Sequence, residues 1–293
     1  MTVGNWGRWG PDDERGALNL LGPASILRAL SLPREGRVID LSYPIQARGV
    51  PMITSRPAPV HTCTVDGGDY AVGGRLSNGC GSAEDHLFLH LHGHTTHMDA
   101  LGHVWTGDEL YNGFSYLTIR SSGMRRLGIE RVGHVLTRGV LLDLPRLRGA
   151  AHLPAGEEVG AEELERAFAA LGTAPEPGDA ILIRTGWNLV HADDPAEWER
   201  SWPGIGREAA AWLAARDPVL VGGDTPSVEV SPFPEGTTAP VHQVLLRDHG
   251  IYLVELLDLE ELAGAAPTEF LFVGAPLRLR GGTGSPLNPL AVL

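Results

Sequence analysis

Five of the twelve histidines of this 293-residue chain lie in one stretch of fourteen residues, HLHGHTTHMDALGH. The five are His90, His92, His94, His97 and His103, and Asp99 lies among them. In an extended backbone, residues two apart point to the same face, so His97 and Asp99 would present an imidazole nitrogen and a carboxylate oxygen side by side. Mixed nitrogen and oxygen ligands suit divalent ions such as Zn²⁺ or Mn²⁺. The stretch therefore predicts a divalent metal site.

A second candidate pair lies near the end of the chain. His242 begins a short apolar helix, and Glu255 lies inside the apolar segment IYLVEL, predicted to be a strand over residues 251–256. An acidic side chain in a buried strand is costly unless it is paired or bound to a metal. Glu255 therefore needs a partner, which is either a metal ion or an arginine.

The elements that must position these residues alternate along the chain. Leu87, Leu89 and Leu91 alternate with polar and aromatic residues, which predicts a strand whose apolar face packs inward and which leads into the histidines. Further strands are predicted at residues 38–43, 139–144, 180–184, 218–222 and 269–273, and helices at 23–30, 160–171 and 207–216. Such an order is typical of an α/β fold, which places its chemistry just past strand ends.

Residues 51–82 are rich in glycine, proline, serine and threonine and show no helical period. This composition predicts loops and short hairpins beside the site, which are either a substrate lid or a surface excursion without a role.

Composition excludes several classes of function. The net charge of −13 and the pI near 5.3 disfavour a nucleic-acid or anionic membrane partner, which would select a basic surface. Cys63 and Cys80 form no CxxC motif, and the chain begins with no secretory signal, so a reducing cytoplasm is expected. No apolar run is long enough for a transmembrane helix. The motifs of serine hydrolases, P-loop enzymes, dinucleotide-binding enzymes and HExxH peptidases are absent from the sequence.

The segment TTHMDALGH resembles the signature H-x-G-T-H-x-D-x-P-x-H of the metal-dependent cyclase/hydrolase family that includes bacterial kynurenine formamidase and isatin hydrolase. Thr96, His97, Asp99 and His103 match that pattern, whereas its leading histidine falls on Gly93. A shift or bulge of one residue would supply the missing imidazole from His92 or His94, and His92 is the predicted choice. The opening NWGRWGPDDERG and the segment GDTPS also resemble the longer members of this family.

The resemblance implies a fold and an assembly. The fold is a swivelling β/β/α domain with a mixed sheet core and flanking helices, spanning residues 1–293 with an N-terminal arm at about residues 1–22. The assembly is a homo-oligomer, either a homodimer or a homotetramer.

The resemblance also implies metal-assisted hydrolysis of a cyclic or acyl amide in a small-molecule substrate, with one or two Zn or Mn ions. The first ion would be held by His92, His97 and Asp99. Asp99 would bridge to a second ion held by His242 and Glu255, and unliganded His103 would be the general acid/base.

Two other interpretations remain open at this point. The same Lewis-acid centre would serve a ring-forming cyclase or dehydratase of secondary metabolism. Alternatively, the chain is a metal-binding or regulatory family member without turnover, which the departure at Gly93 would favour.

Overall fold

The computed structural model describes residues 4–74 and 78–293 and contains fifteen strands within them. The strands are β1 (Val38–Asp40), β2 (Val60–Val65), β3 (Glu84–Phe88), β4 (His97–Asp99), β5 (Ile119–Arg120), β6 (Gly123–Met124), β7 (Val135–Asp143), β8 (Glu158–Val159), β9 (Ala180–Arg184), β10 (Gly204–Ile205), β11 (Leu220–Gly223), β12 (Tyr252–Glu255), β13 (Phe270–Gly274), β14 (Gly284–Pro286) and β15 (Leu290–Val292).

The same residues contain nine α-helices, four short 3-10 helices and one π-helix. The α-helices are α1 (Pro23–Leu30), α2 (Gly67–Ala71), α3 (Leu144–Arg148), α4 (Ala161–Leu171), α5 (Asn188–Asp193), α6 (Pro195–Arg200), α7 (Arg207–Ala214), α8 (Pro240–His242) and α9 (Glu260–Ala265). The 3-10 helices are Gly16–Leu20, Tyr111–Gly113, Tyr116–Thr118 and Ile129–Arg131, and the π-helix is Gln243–Asp248.

Nine of the strands form one mixed sheet in the order β1-β15-β13-β7-β9-β11-β12-β4-β14. The central strands β7, β9, β11 and β12 are parallel, whereas β4 and β14 extend the sheet antiparallel beyond β12. Helices flank the sheet, with α1 against β7 and α4 against α7 and β7. The predicted α/β class with a mixed sheet core and flanking helices is confirmed.

The central strands form because their sequences are apolar on both faces. In β9, the five residues AILIR are all buried, as expected for a parallel strand covered on both sides. Helix α4 turns Leu164, Ala167 and Phe168 inward with a helical period and ends at Gly172 in the left-handed conformation. The predicted strands and helices of this part of the chain are therefore confirmed, with shifts of a few residues at their ends.

One predicted strand is wrong in its extent and packing. The strand near Leu87 is β3, which ends at Phe88 before the histidines, and every residue of it is exposed. Its sheet partner is β2, and the two form a separate two-stranded ribbon. Because no residue of β3 packs into the core, Leu87 remains 50% exposed, while Leu89 and Leu91 lie beyond the strand and are half-buried.

The segment that opens the described chain lies on the body of the protein. The Trp6 indole packs against the main hydrophobic core, and its Nε1 donates to the Arg247 carbonyl at 2.9 Å. Asn112 binds the same segment by donating to the carbonyl oxygens of Gly10 and Asp13. These contacts fix the segment despite its lack of regular structure. No helix among the described residues is long and apolar enough to span a membrane.

Candidate metal centre

The register of three neighbouring strands builds the floor of the site. In β4, His97 and Asp99 lie two residues apart and therefore on one face. Glu255 of β12 lies directly opposite His97, and Gly284 of β14 lies opposite Asp99. Since residues directly opposite one another share a face of the sheet, the register brings an imidazole and two carboxylates together. All three side chains are buried.

His92 reaches the same point from the chain that leads into β4. Its Nδ1 lies 2.9 Å from Asp99 Oδ1, and its Nε2 lies 3.0 Å from Thr283 Oγ1. A Cβ at Gly284 would lie 2.7 Å from the His92 ring, so only glycine leaves room for the imidazole at this position. The tail of the chain thus both makes space for His92 and orients it.

His242 approaches from the opposite end of the sequence. It is the last residue of α8 and is followed by the π-helix, a rare form that is common at functional sites. Its Nε2 lies 3.4 Å from Asp99 Oδ2 and 3.2 Å from Glu255 Oε1. Its Nδ1 donates to the buried Glu229 carboxylate at 2.5 Å, and Glu229 also accepts from the Val241 amide. This pairing fixes the ring and leaves Nε2 turned towards the two carboxylates.

Each of the two carboxylates faces His242 on one side and His97 on the other, and Asp99 also faces His92. Asp99 turns Oδ1 towards His92 and His97 and Oδ2 towards His242. Glu255 turns Oε2 towards His97, at 3.2 Å from its Nε2, and Oε1 towards His242. The structure thus brings the five residues predicted as ligands together, with two carboxylates that span the gap between two sets of nitrogens.

The nitrogen and oxygen atoms of this cluster are suited to bind a cation. Five buried atoms have no aligned hydrogen-bond partner in the part of the chain that the structure describes: His92 Nδ1, His97 Nε2, both oxygens of Asp99 and Glu255 Oε1. His97 Nδ1 donates to the Thr95 carbonyl at 2.8 Å, so its Nε2 in the neutral ring carries a lone pair that faces carboxylate oxygens. Facing lone pairs repel unless a proton or a metal ion lies between them. The clusters His92–His97–Asp99 and Asp99–His103–His242 each have one ligand atom per residue within 4.8 Å of the others, as a divalent metal requires.

Protons and metal ions compete for these atoms. Burial disfavours the charged form of His97 and of His242, yet the adjacent carboxylates outweigh burial and raise the pKa of both imidazoles. Burial would also raise the pKa of Asp99, but His103, His242 and His92 around it hold that pKa well below its ordinary value. Because a metal binds only the deprotonated imidazoles, its affinity should fall as the pH is lowered through the raised pKa values.

His103 lies beside the ligands in the turn after β4. Its ring stacks on that of His92, with 4.0 Å between centroids, and its amide donates to the Ala100 carbonyl. Burial lowers the pKa of His103 to about 4, so its ring is neutral at neutral pH. Its distance from Asp99 and His242 suits either a ligand or a proton carrier.

Three other residues singled out by the sequence lie outside the cluster. The buried His94 points its Nε2 at the Arg56 carbonyl, 2.9 Å away, and the exposed His90 bonds the His92 carbonyl. Asp224, in the segment GDTPS, accepts hydrogen bonds from the Thr185 and Gly186 amides and so ties the end of β9 to the end of β11. Asp224 therefore holds the loop that leads to Glu229.

Sequence reasoning missed Glu229 and Thr283, which orient two of the imidazoles. Glu229 had a usable signal, because it is an acidic residue between two valines, as Glu255 is an acidic residue in an apolar strand. Thr283 had none, since a threonine in a glycine-rich tail is typical of a turn.

A cleft of about 260 Å³ opens above the cluster. His92, His103, His242 and Glu255 contribute to its floor, and its remaining lining is largely apolar. Its other lining residues are Ile53, Arg56, Val104, Trp202, Pro226, Ser227, Glu229, Phe233 and Ala239. The size and the lining suit a small molecule that approaches the buried imidazoles and carboxylates.

Comparison with known proteins gives consistent matches. A family model described as putative cyclase matches residues 39–230. The rice protein Cyclase-like protein 3 (Oryza sativa subsp. japonica) is 28% identical over 218 residues, which are 72% of this chain and 67% of that protein. A crystal structure described as a novel cyclase is 38% identical, with a TM-score of 0.92 over 99% of this chain and 98% of that chain. Isatin hydrolase A from Ralstonia solanacearum shares the fold at 21% identity, with a TM-score of 0.64 over 92% of this chain and 94% of its own.

The contrasting positions of His92 and His94 give a direct test of the ligand set. His92→Ala should lower the bound divalent metal at least tenfold, since it removes an imidazole from the cluster. His94→Ala, the matched control, should retain the wild-type amount. Both contents are measured by inductively coupled plasma mass spectrometry, with circular dichroism to verify folding. Loss of metal from folded His94→Ala, but not from His92→Ala, would contradict the assignment.

Proposed function

The chain belongs to the putative cyclase family, in agreement with the resemblance seen in its histidine stretch, and we propose that it is a metal-dependent hydrolase of a cyclic or acyl amide. The observation that carries this proposal is the set of buried imidazole nitrogens and carboxylate oxygens at and directly next to the floor of the cleft, which have no aligned partner among the described residues. A cation at this point would face any small molecule that enters. The presence of the same fold in an isatin hydrolase supports hydrolysis as the class of reaction.

The proposed ligands divide between two ions of Zn or Mn. His92, His97 and Asp99 would hold the first, while Asp99 would bridge to a second held by His242 and Glu255. Such an ion, when bound, polarises a carbonyl and lowers the pKa of water towards about 7. Glu229 and the Thr95 carbonyl support the site by fixing which nitrogen of His242 and of His97 is available.

In the proposed reaction, water adds to the amide carbon and the carbon–nitrogen bond breaks. His103 takes a proton from the water, which its neutral ring at neutral pH allows. The electron pair of the broken bond stays on the nitrogen, which receives the proton from His103. The products are a carboxylic acid and an amine. Where the amide was cyclic, the product is one ring-opened molecule that carries both groups.

A ring-forming cyclase or dehydratase is the second candidate, and the names of the related proteins favour it. It would use the same residues on a substrate that cyclises instead of taking up water. A family member without turnover is less well supported, because His92 joins the cluster and the glycine at position 93 does not leave it short of an imidazole.

We also propose that the protein is a homodimer in the cytoplasm that acts on a small molecule. The ribbon of β2 and β3 exposes apolar side chains, among them Val60 (52%) and Phe88 (71%). An isolated two-stranded ribbon is marginally stable in water, so its exposed faces need a partner. A second copy of this chain fits, because a two-fold axis would pair ribbon with ribbon. Cys63 and Cys80 are free and exposed, as a reducing compartment permits.

The reaction is tested with a panel of formamides, lactams and esters, in which the release of acid is followed by titration. We expect turnover of at least one amide by the metal-loaded protein and none after chelation. His103→Asn should bind the wild-type amount of metal and lower kcat about 10²–10⁴-fold, because it removes only the proton carrier. Absence of acid release across the panel would favour the cyclase, and loss of metal from His103→Asn would identify His103 as a ligand.

The assembly is tested by light scattering on the eluate of a gel-filtration column. We expect a dimer for the wild type and a monomer after Leu87→Glu with Phe88→Glu, which places charges on both faces of the ribbon. The control is Leu27→Glu, a similarly exposed leucine on α1 that should leave the dimer intact. A monomeric wild type would refute the proposed assembly.

A further inference from the structure

The cleft contains one cationic side chain whose role the proposed reaction does not explain. Among the described residues that line the cleft, Arg56 is the only arginine or lysine. Across residues 4–74 and 78–293, the Arg56 guanidinium makes no hydrogen bond or ion pair. The Glu199 carboxylate lies near enough to His94 to favour a higher pKa of that imidazole. Its two oxygens accept hydrogen bonds from the Thr54 amide and hydroxyl, each at 2.7 Å. Arg56 therefore brings to the cleft an exposed positive charge that no described side chain contacts in an ion pair.

The backbone around Arg56 is tied to the stretch that carries the metal ligands. The Arg56 carbonyl accepts from His94 Nε2 at 2.9 Å, and the Ile53 amide donates to the Gly93 carbonyl at 2.8 Å. The guanidinium packs against Gly93, where a Cβ would lie 2.9 Å from Arg56 Nη1. Gly93 also has a φ of +77°, which glycine adopts without strain. The glycine at this position thus leaves space for the arginine head group.

The rest of the cleft wall would contact an apolar body. Ile53, Val104, Phe233 and Trp202 line it. The Trp202 Nε1 donates to Ser227 Oγ at 2.9 Å and to the Glu229 carbonyl at 3.1 Å, which fixes the ring. Glu229, the carboxylate of the lining besides Glu255, is held by the Val241 amide and by His242. Arg56 is exposed to solvent, so its guanidinium is free to bind a carboxylate that arrives with the substrate.

We propose that Arg56 selects amide substrates that carry a carboxylate apart from the scissile bond, joined to an apolar body that packs against Trp202. This inference rests on the proposed hydrolase function for the scissile bond, but the binding of the carboxylate does not require turnover. Arg56 acts here as a specificity residue, and a neutral substrate of the same shape would lose its contact.

Binding is tested by isothermal titration calorimetry on the metal-loaded protein with 3-phenylpropionate and its neutral counterpart, 3-phenylpropionamide. Arg56→Met should weaken the binding of the carboxylate by roughly tenfold or more and leave the amide unchanged, since a charge-assisted contact is lost. Arg56→Lys should restore part of the affinity. The matched control, Arg48→Met, removes an exposed charge outside the cleft lining and should change neither. Equal effects of Arg56→Met on the two ligands, or no effect on either, would refute the proposal.

Turnover provides a second measurement, with N-acetylphenylalanine and N-acetylphenylalaninamide compared by release of acetate. Where the wild type hydrolyses both, Arg56→Met should raise KM for the acid roughly tenfold or more, without a similar rise for the amide. If the wild type hydrolyses neither, these amides do not support the hydrolase function, while the calorimetry still decides the role of Arg56. If turnover is normal but the variant treats both substrates alike, the role of Arg56 is wrong and the hydrolase function stands.

Discussion

The burial of two carboxylates among imidazole nitrogens is the constraint on which the site depends. Glu255 lies at the floor of the cleft and Asp99 is fully buried next to it, and among the described residues the nitrogens nearest to them are not aligned to donate hydrogen bonds. Charges buried in this way are very costly unless a proton or a cation lies between them and their neighbours. When His97 is neutral, its fixed tautomer leaves a lone pair facing the carboxylates, which a metal ion satisfies and hydrogen bonding within the described chain does not.

The mixed sheet provides the rigidity that this arrangement needs. Parallel β11 and β12 form the covered centre, and antiparallel β4 and β14 then place His97 and Gly284 on either side of the metal-facing surface. Because four of the five proposed ligands come from strands and a short helix, their separations are set by backbone hydrogen bonds and by the packed core beneath, while His92 comes from the segment that leads into β4. The part of the cleft wall that includes Arg56 and Phe233 comes instead from loops, where a change of substrate is easiest to accommodate.

The sequence was sufficient to predict the α/β class, the central strands and the residues that meet in the cluster. The strands were predicted from local signals, such as the continuous apolar run of β9, and the ligands from the acidic residue inside an apolar strand at Glu255 together with the family resemblance. The sequence did not predict features that depend on contacts between residues far apart along the chain. The exposure of β3, the support of His92 by Thr283 and the packing of Arg56 on Gly93 all arise from contacts that no short pattern encodes.

The central claim is that a divalent ion lies between Asp99, Glu255 and the three imidazoles, and anomalous X-ray scattering at the Zn and Mn absorption edges tests it most directly. In crystals grown near neutral pH with each metal, the claim predicts one or two strong anomalous peaks about 2.0–2.2 Å from the carboxylate oxygens of Asp99 and Glu255. A well-ordered cluster without any anomalous peak, in which protonated His97 and His242 bind the two carboxylates, would contradict it.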